Sequence, residues 1–181
     1  IAAKADNAIG IVGIAPGARL LALKACWPAR KGDLAAQCNS FTLALAVNAA
    51  IEGGAQILNM SLAGPTDPLL QALVEAAVRR GIIVVAAADT DPSRPFPASL
   101  PDVIAVHATG DVAANAGVAT VATARTTELR ASGNRILTTV PHATYDFLSG
   151  SSFAAANVTG RIALLLEQHR SAQLADVVRM L

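Results

Sequence analysis

The chain is poor in aromatic residues, in charge and in cysteine. One Trp, one Tyr and four Phe make up 3% of its 181 residues. So few rings argue against a base-stacking surface for nucleic acid. Charged residues account for 15% and the net charge is +1, so there is no basic stripe of the kind nucleic-acid binding requires. No apolar run reaches the roughly 18 residues of a membrane-spanning helix. Internal repeats, low-complexity tracts and interdomain linkers are lacking too. Only two cysteines occur, with no His or Cys at metal spacing near them, so zinc is not expected.

What is present is aliphatic. Hydrophobic residues make up 53% of the chain. With rings so scarce, the core must be built from Ala, Val, Leu and Ile, a composition that suits buried parallel strands under small-residue helices. The length suffices for one α/β domain with a sizeable core. The opening IAAKADNAIG reads as the end of a helix already under way, with no initiator Met or signal peptide. Residues 1–181 are therefore expected to form one domain that is incomplete at its N-terminus.

Cys26 and Cys38 lie 12 positions apart in CWPARKGDLAAQC. A disulfide closing this loop is the preferred reading and implies an oxidising compartment. Two unpaired buried thiols are the alternative.

Along the chain, RLLALKAC (19–26) reads as a buried strand. SFTLALAVNAAIEGG reads as a helix with Ser40 as cap, Leu43, Val47 and Ile51 on one face, and Gly53 and Gly54 as stop. AQILNMSLAG is a strand. TDPLLQALVEAAVRRG is a helix with Asp67 as cap, Pro68 in the first position and Gly81 at the end. GIIVVAAA has the continuous β-branched character of a central parallel strand, and DVIAVHA is another strand. GVATVATARTTELRASGNRILTTV suggests shorter strands near an edge. YDFLSG leads into a helix over 151–168, and Ser171 opens a last helix with Leu174, Val177, Val178 and Leu181 on one side. The expected fold is an open, mostly parallel sheet with helices on both faces.

Ligands of such sheets bind beyond the carboxyl ends of the strands. NMSLAGP, AAADTDP and LSGSSFAAA converge there. Ser152 stands at a helix start after Gly150, where exposed N–H groups and the positive end of the helix dipole favour an oxyanion. The residues alone leave two roles open, helix capping and nucleophilic attack.

Taken in order, these stretches resemble the subtilases, the subtilisin-like serine proteases, over the whole chain. IAAKADNAIGIVGIAPGARLLALKA resembles the segment following that family's histidine motif. NMSLAGP resembles its substrate-binding strand, VVAAADT the strand leading to its oxyanion residue, and GSSFAAANVTG its nucleophile motif. FPASLPDVIAV is also typical. The resemblance implies an endopeptidase with Ser152 as nucleophile and Ser151 in the preceding Thr/Ser position. Ser61, Leu62 and Ala63 would line a cleft for an extended peptide or protein substrate. Ala87 and Ala88 would wall the side-chain pocket, and the loop from Gly32 to Ala36 would form its other rim.

The pattern also breaks. Serine needs a base, and the base needs a carboxylate. The family order is Asp, His, Ser, which places both partners upstream of Ile1, in a missing N-terminal part of the same domain. His107, His142 and His169 do not match the base. The isolated chain is therefore expected to be inactive, and its bared sheet edge makes self-association plausible. Either Asp89 or Thr90 stands where the family has its oxyanion Asn, so a pseudoprotease or peptide-binding module is the alternative function. Asn157, Ala156 and Ser132 are further departures. KADNAIGI resembles a calcium loop, with ligands from Asn7 and the carbonyls of Ala5, Ile9 and Ile11; the alternative is an Asx turn. No other cofactor is implied, and calcium would belong to the complete protein. The expected location is secreted, periplasmic or cell-surface.

Overall fold

In the computed structural model, residues 1–30, 36–91, 93–110, 119–122 and 127–181 are described, of which 119–122 by backbone alone. The elements are β1 (Cys26–Pro28), β2 (Ala36–Cys38), α1 (Ser40–Glu52), β3 (Ile57–Met60), α2 (Pro68–Arg79), β4 (Ile83–Ala87), β5 (Val103–Thr109), β6 (Ala119–Ala122), β7 (Thr127–Ser132), β8 (Ile136–Val140), β9 (Thr144–Leu148), α3 (Ser151–Gln168) and α4 (Leu174–Met180). The main sheet runs β3-β4-β5-β7-β6. Its first four strands are parallel and β6 pairs antiparallel to β7 at the edge. The expected open, mostly parallel sheet is thus present.

Strand periodicity divides the core in two. Val84, Ala86 and Val103 face α1 and α2, packing with Val47, Val74 and Ala77. Ile83, Val85, Ile104 and Val106 face the other way, onto Ala154, Ala155, Val158 and Ile162 of α3 and Val177 of α4. Neighbours in a strand point to opposite faces, so the unbroken apolar run of β4 serves both cores at once. Each fully buried Val or Ile contributes about 1.5–3 kcal/mol. Ala154 and Ala155 are fully buried, and their small size brings α3 close to the sheet.

The α2 signals hold as read. The Asp67 carboxylate accepts the N–H groups of Leu69 and Leu70, and Pro68 is the first helical residue. Gly81 has φ +79°, a conformation in which a side chain is strained. Two other caps fall elsewhere. Asn39, not Ser40, caps α1, its Oδ1 accepting Thr42 N–H at 2.8 Å. The Ser40 hydroxyl instead donates to Asp67, tying together the starts of two helices. Gln173, not Ser171, caps α4, through a reciprocal box with Asp176.

Two expectations near the start fail. Residues 1–10 are not helical. They close a loop in which Gly13 N–H donates to Ala3 O at 2.9 Å and Ala15 N–H to Ile1 O at 3.0 Å; the positive φ of Asp6 and Ala8 is incompatible with helix. Residues 19–25 form no strand. Leu20 and Leu21 are 60% and 53% exposed, because an apolar run becomes a buried strand only where a neighbour pairs with it. Strand pairing begins at Cys26, opposite Cys38, and these two residues form the expected disulfide. Among the described residues, no helix is long and apolar enough to cross a membrane.

Candidate active site

The site begins with the α3 N-terminus. Gly150 is the cap residue, with φ 150°, and no side chain caps the helix. Neither serine of GSSF is therefore spent on capping. Ser151 Oγ accepts Ala108 N–H at 3.4 Å, which ties the helix start to the end of β5. Gly150 N–H donates to Gly133 O at 2.8 Å. A Cβ on Gly133 would lie 2.7 Å from Gly150 O and 2.8 Å from Ala108 Cβ. Only glycine allows this approach.

Ser152 meets the cleft strand directly. Its Oγ donates to Ser61 O at 3.2 Å, and Ser61 Oγ donates to Ser152 O at 2.9 Å. Behind this pair stands a side-chain relay that sequence reasoning missed. Asn59 Nδ2 donates to Ser61 Oγ at 3.0 Å, and Thr159 Oγ1 donates to Asn59 Oδ1 at 2.9 Å. The sequence carries only half of the signal: Asn59 and Ser61 share a strand face by period two and Thr159 lies two helical turns beyond Ser152, but nothing in it brings the two segments together.

The second rim is built from residues after β4. Ala87 and Ala88 are buried at its end, and Ala88 N–H donates to Val106 O at 2.9 Å. Gly64 and Phe96 exchange two main-chain hydrogen bonds at 3.0 and 3.1 Å. Arg94 Nη2 donates to Ala63 O at 2.8 Å and its Nη1 lies 3.4 Å from the Asp89 carboxylate. Asp89 Oδ1 also accepts Asp91 N–H. Asp89 thus acts as an acceptor held by Arg94, while Thr90 is exposed beside it. Leu62 packs against the α1–α2 core. Of the loop from Gly32 to Ala36, residues 32–35 lie outside the described residues; Ala36 is in β2.

The histidines lie in three other places. His107 Nε2 is 3.5 Å from Glu128, His142 occupies the turn after β8, and His169 is the C-cap of α3. Among the departures, Asn157 accepts Arg161 Nε at 3.0 Å, and Ser132 is buried. In the loop that resembles a calcium site, Asn7 Oδ1 accepts Ile9 N–H at 3.0 Å, an Asx turn. Among the described residues no group of three or more His, Cys, Asp or Glu could hold a metal. Asn7 Oδ1 and the carbonyls of Ala5, Ile9 and Ile11 are four oxygens, short of the six to eight calcium takes.

A serine on the first turn of a helix, next to the carboxyl end of a parallel strand, defines an α/β site of the doubly wound class. The particular family is also established. The model described as Subtilase family matches residues 1–181, and the chain belongs to that family. It is 33% identical over 181 residues to Subtilisin NAT of Bacillus subtilis subsp. natto, covering 94% of this chain and 45% of that protein. It is 34% identical over 174 residues to the Major intracellular serine protease of Bacillus subtilis (strain 168), covering 91% of this chain and 52% of that one. The chain spans about half the length of these curated relatives. The solved structure of the Prenylagaramide maturation protease PagA superposes with a TM-score of 0.63 at 27% identity, over 81% of this chain and 56% of that chain.

Proposed function

We propose that this chain supplies the nucleophile and substrate cleft of a serine endopeptidase. The observation that carries the reading is the Ser61–Ser152 contact, which sets an uncapping serine hydroxyl at a helix N-terminus against the strand end that would bind peptide. An extended substrate adds to residues 61–63 through main-chain hydrogen bonds, with its side chain toward Ala87 and Ala88. Ser152 Oγ attacks the carbonyl carbon as its proton passes to a base. The amine then leaves with a proton, and water releases the acyl group and regenerates the hydroxyl. The developing oxyanion is favoured by the free N–H groups at the start of α3.

The base and its carboxylate are proposed to come from polypeptide outside these residues, so the 181 residues alone hydrolyse no peptide. The Cys26–Cys38 disulfide supports an oxidising location, secreted, periplasmic or at the cell surface. That reading rests on the disulfide, since one relative is named as intracellular. Labelling of the whole protein by a fluorophosphonate, abolished in Ser152→Ala, is the expected result. Equal labelling of both would overturn the assignment.

A second reading is a peptide-binding module that does not cut. It is favoured by Asp89, one of the two candidates with Thr90 for the oxyanion position, which is an acceptor paired with Arg94. Peptide binding by the whole protein without any fluorophosphonate labelling would select it.

A further inference from the structure

Two carbonyl groups of the cleft segment already accept hydrogen bonds from side chains of the same molecule. Ser61 O accepts Ser152 Oγ at 3.2 Å. Ala63 O, two residues on, accepts Arg94 Nη2 at 2.8 Å. Gly64 spends both its N–H and its C=O on Phe96. In an extended segment the main-chain groups of neighbouring residues point to opposite sides, and those two residues apart point to the same side. Ala63 O therefore points away from Phe96, to the side on which Ser61 O meets Ser152. That is the side on which the proposed peptide adds. The Arg94 guanidinium stands where a main-chain N–H of that peptide has to donate.

Arg94 has somewhere else to go. Its side chain is 51% exposed, and Nη1 already lies 3.4 Å from Asp89 Oδ2. Asp89 Oδ1 is held by Asp91 N–H at 3.0 Å, which fixes the carboxylate as a second partner. The Asp91 carboxylate is held by the N–H and hydroxyl of Ser93, and it too feels the Arg94 charge. A guanidinium carries five donors in one plane, so a small movement exchanges Ala63 O for a closer pairing with Asp89.

We propose that Arg94 is the cleft's own competitor: it stands in for a peptide N–H on Ala63 O and moves onto Asp89 when an extended peptide binds. A selectivity follows. The peptide N–H facing Ala63 replaces a bond already made, so it adds little affinity, and a residue without that donor, such as proline, is accepted there. The proposal rests on the reading of residues 61–63 as a peptide cleft, and not on attack by Ser152.

The test uses the whole protein carrying Ser152→Ala, so that binding is read without cutting. The probe is a blocked, dye-labelled peptide of six alanines, followed by fluorescence anisotropy. Arg94→Met, which keeps the stem without donors, and Arg94→Ala are made beside it, and the comparison uses whichever keeps the circular dichroism of the Arg94 protein. That variant is expected to bind about tenfold more tightly, the worth of one released charge-assisted hydrogen bond. Arg94→Lys keeps a cationic donor and is expected to bind like the Arg94 protein. Six further peptides, each N-methylated at one residue, locate the N–H that faces Ala63. Methylation there is expected to cost about fivefold in the variant and no more than about twofold in the Arg94 protein. Equal or weaker binding by the folded variant would overturn the proposal and leave the cleft reading standing. So would an equal cost of methylation in the two proteins. Binding by neither protein would overturn the cleft reading itself, and the proposal with it.

Discussion

Ser61 and Ser152 hold each other by two reciprocal hydrogen bonds, each hydroxyl donating to the other residue's carbonyl. The arrangement fixes the rotamer of both side chains and joins β3 to α3 at the mouth of the cleft. Replacing Ser61 by Ala is therefore expected to remove two bonds, the one to Ser152 O and the one from Asn59 Nδ2, at about 0.5–1.5 kcal/mol each. It should also slow fluorophosphonate labelling of Ser152 in the whole protein while leaving labelling possible. Complete loss of labelling in a folded Ser61→Ala protein would instead make Ser61 indispensable.

Gly133→Ala tests the close approach beneath the proposed nucleophile, Ser152. Its Cβ would meet Gly150 O at 2.7 Å and Ala154 Cβ at 3.0 Å, so the start of α3 must move. A cost of roughly 1–3 kcal/mol is expected, together with a larger loss of Ser152 labelling than Ser61→Ala produces. Denaturant midpoints and labelling rates measure the two effects separately. A fully stable, fully labelled variant contradicts the packing.

Asn59→Ala leaves the buried Thr159 hydroxyl without its acceptor, at an expected cost of about 1–3 kcal/mol. Removing the stranded hydroxyl as well should recover part of that loss, so Asn59→Ala/Thr159→Val is expected to be more stable than Asn59→Ala. Urea unfolding of the parent, the two single variants Asn59→Ala and Thr159→Val, and the double variant decides. Additive losses would mean that the two side chains are not coupled.

Reduction of Cys26–Cys38 frees the β1–β2 hairpin. Closing a short loop is worth about 3 kcal/mol in the chain-entropy model. For a chain of this size that corresponds to a Tm lower by roughly 6–12 °C. Thermal scans with and without dithiothreitol, and of Cys26→Ser/Cys38→Ser, should agree. An unchanged Tm would show that the hairpin melts independently of the sheet.

Asp67 carries a pH dependence. The Ser40 hydroxyl, followed by the N–H groups of Leu70 and Leu69, holds its carboxyl below the ordinary value of 3.8. A carboxyl depressed in the folded state stabilises fully above its unfolded value, and the contribution is lost as pH falls through the folded one. Below about pH 4, stability of the parent chain should therefore fall more steeply than that of Asp67→Asn, which keeps a capping oxygen without a titrating group. Parallel acid limbs in the two proteins would refute this role.

Much of the fold was legible because local chemistry and tertiary context agree. Asp67, Pro68 and Gly81 mark α2 unaided, and the β-branched run of β4 allows little but a strand buried on both faces. Where they disagree, the sequence misleads. LLAL at 20–23 has the composition of a strand but no partner to pair with among the described residues. Ser40 has the chemistry of a cap, yet Asn39, one residue earlier, has the extended backbone a cap needs. In the candidate site, Ser152 and Ser61 were legible through the order of their motifs. The relay through Asn59 and Thr159 was not, because it appears only when two distant segments are superimposed.

Ser61 and Ser152 are 91 residues apart, and Asn59 and Thr159 are 100. The site is therefore a product of high contact order, assembled after long loops have closed. During synthesis the cleft strand would emerge well before its serine partner. No contiguous fragment much shorter than a hundred residues can carry both halves, and a cut between them leaves the pieces to find each other by sheet packing alone.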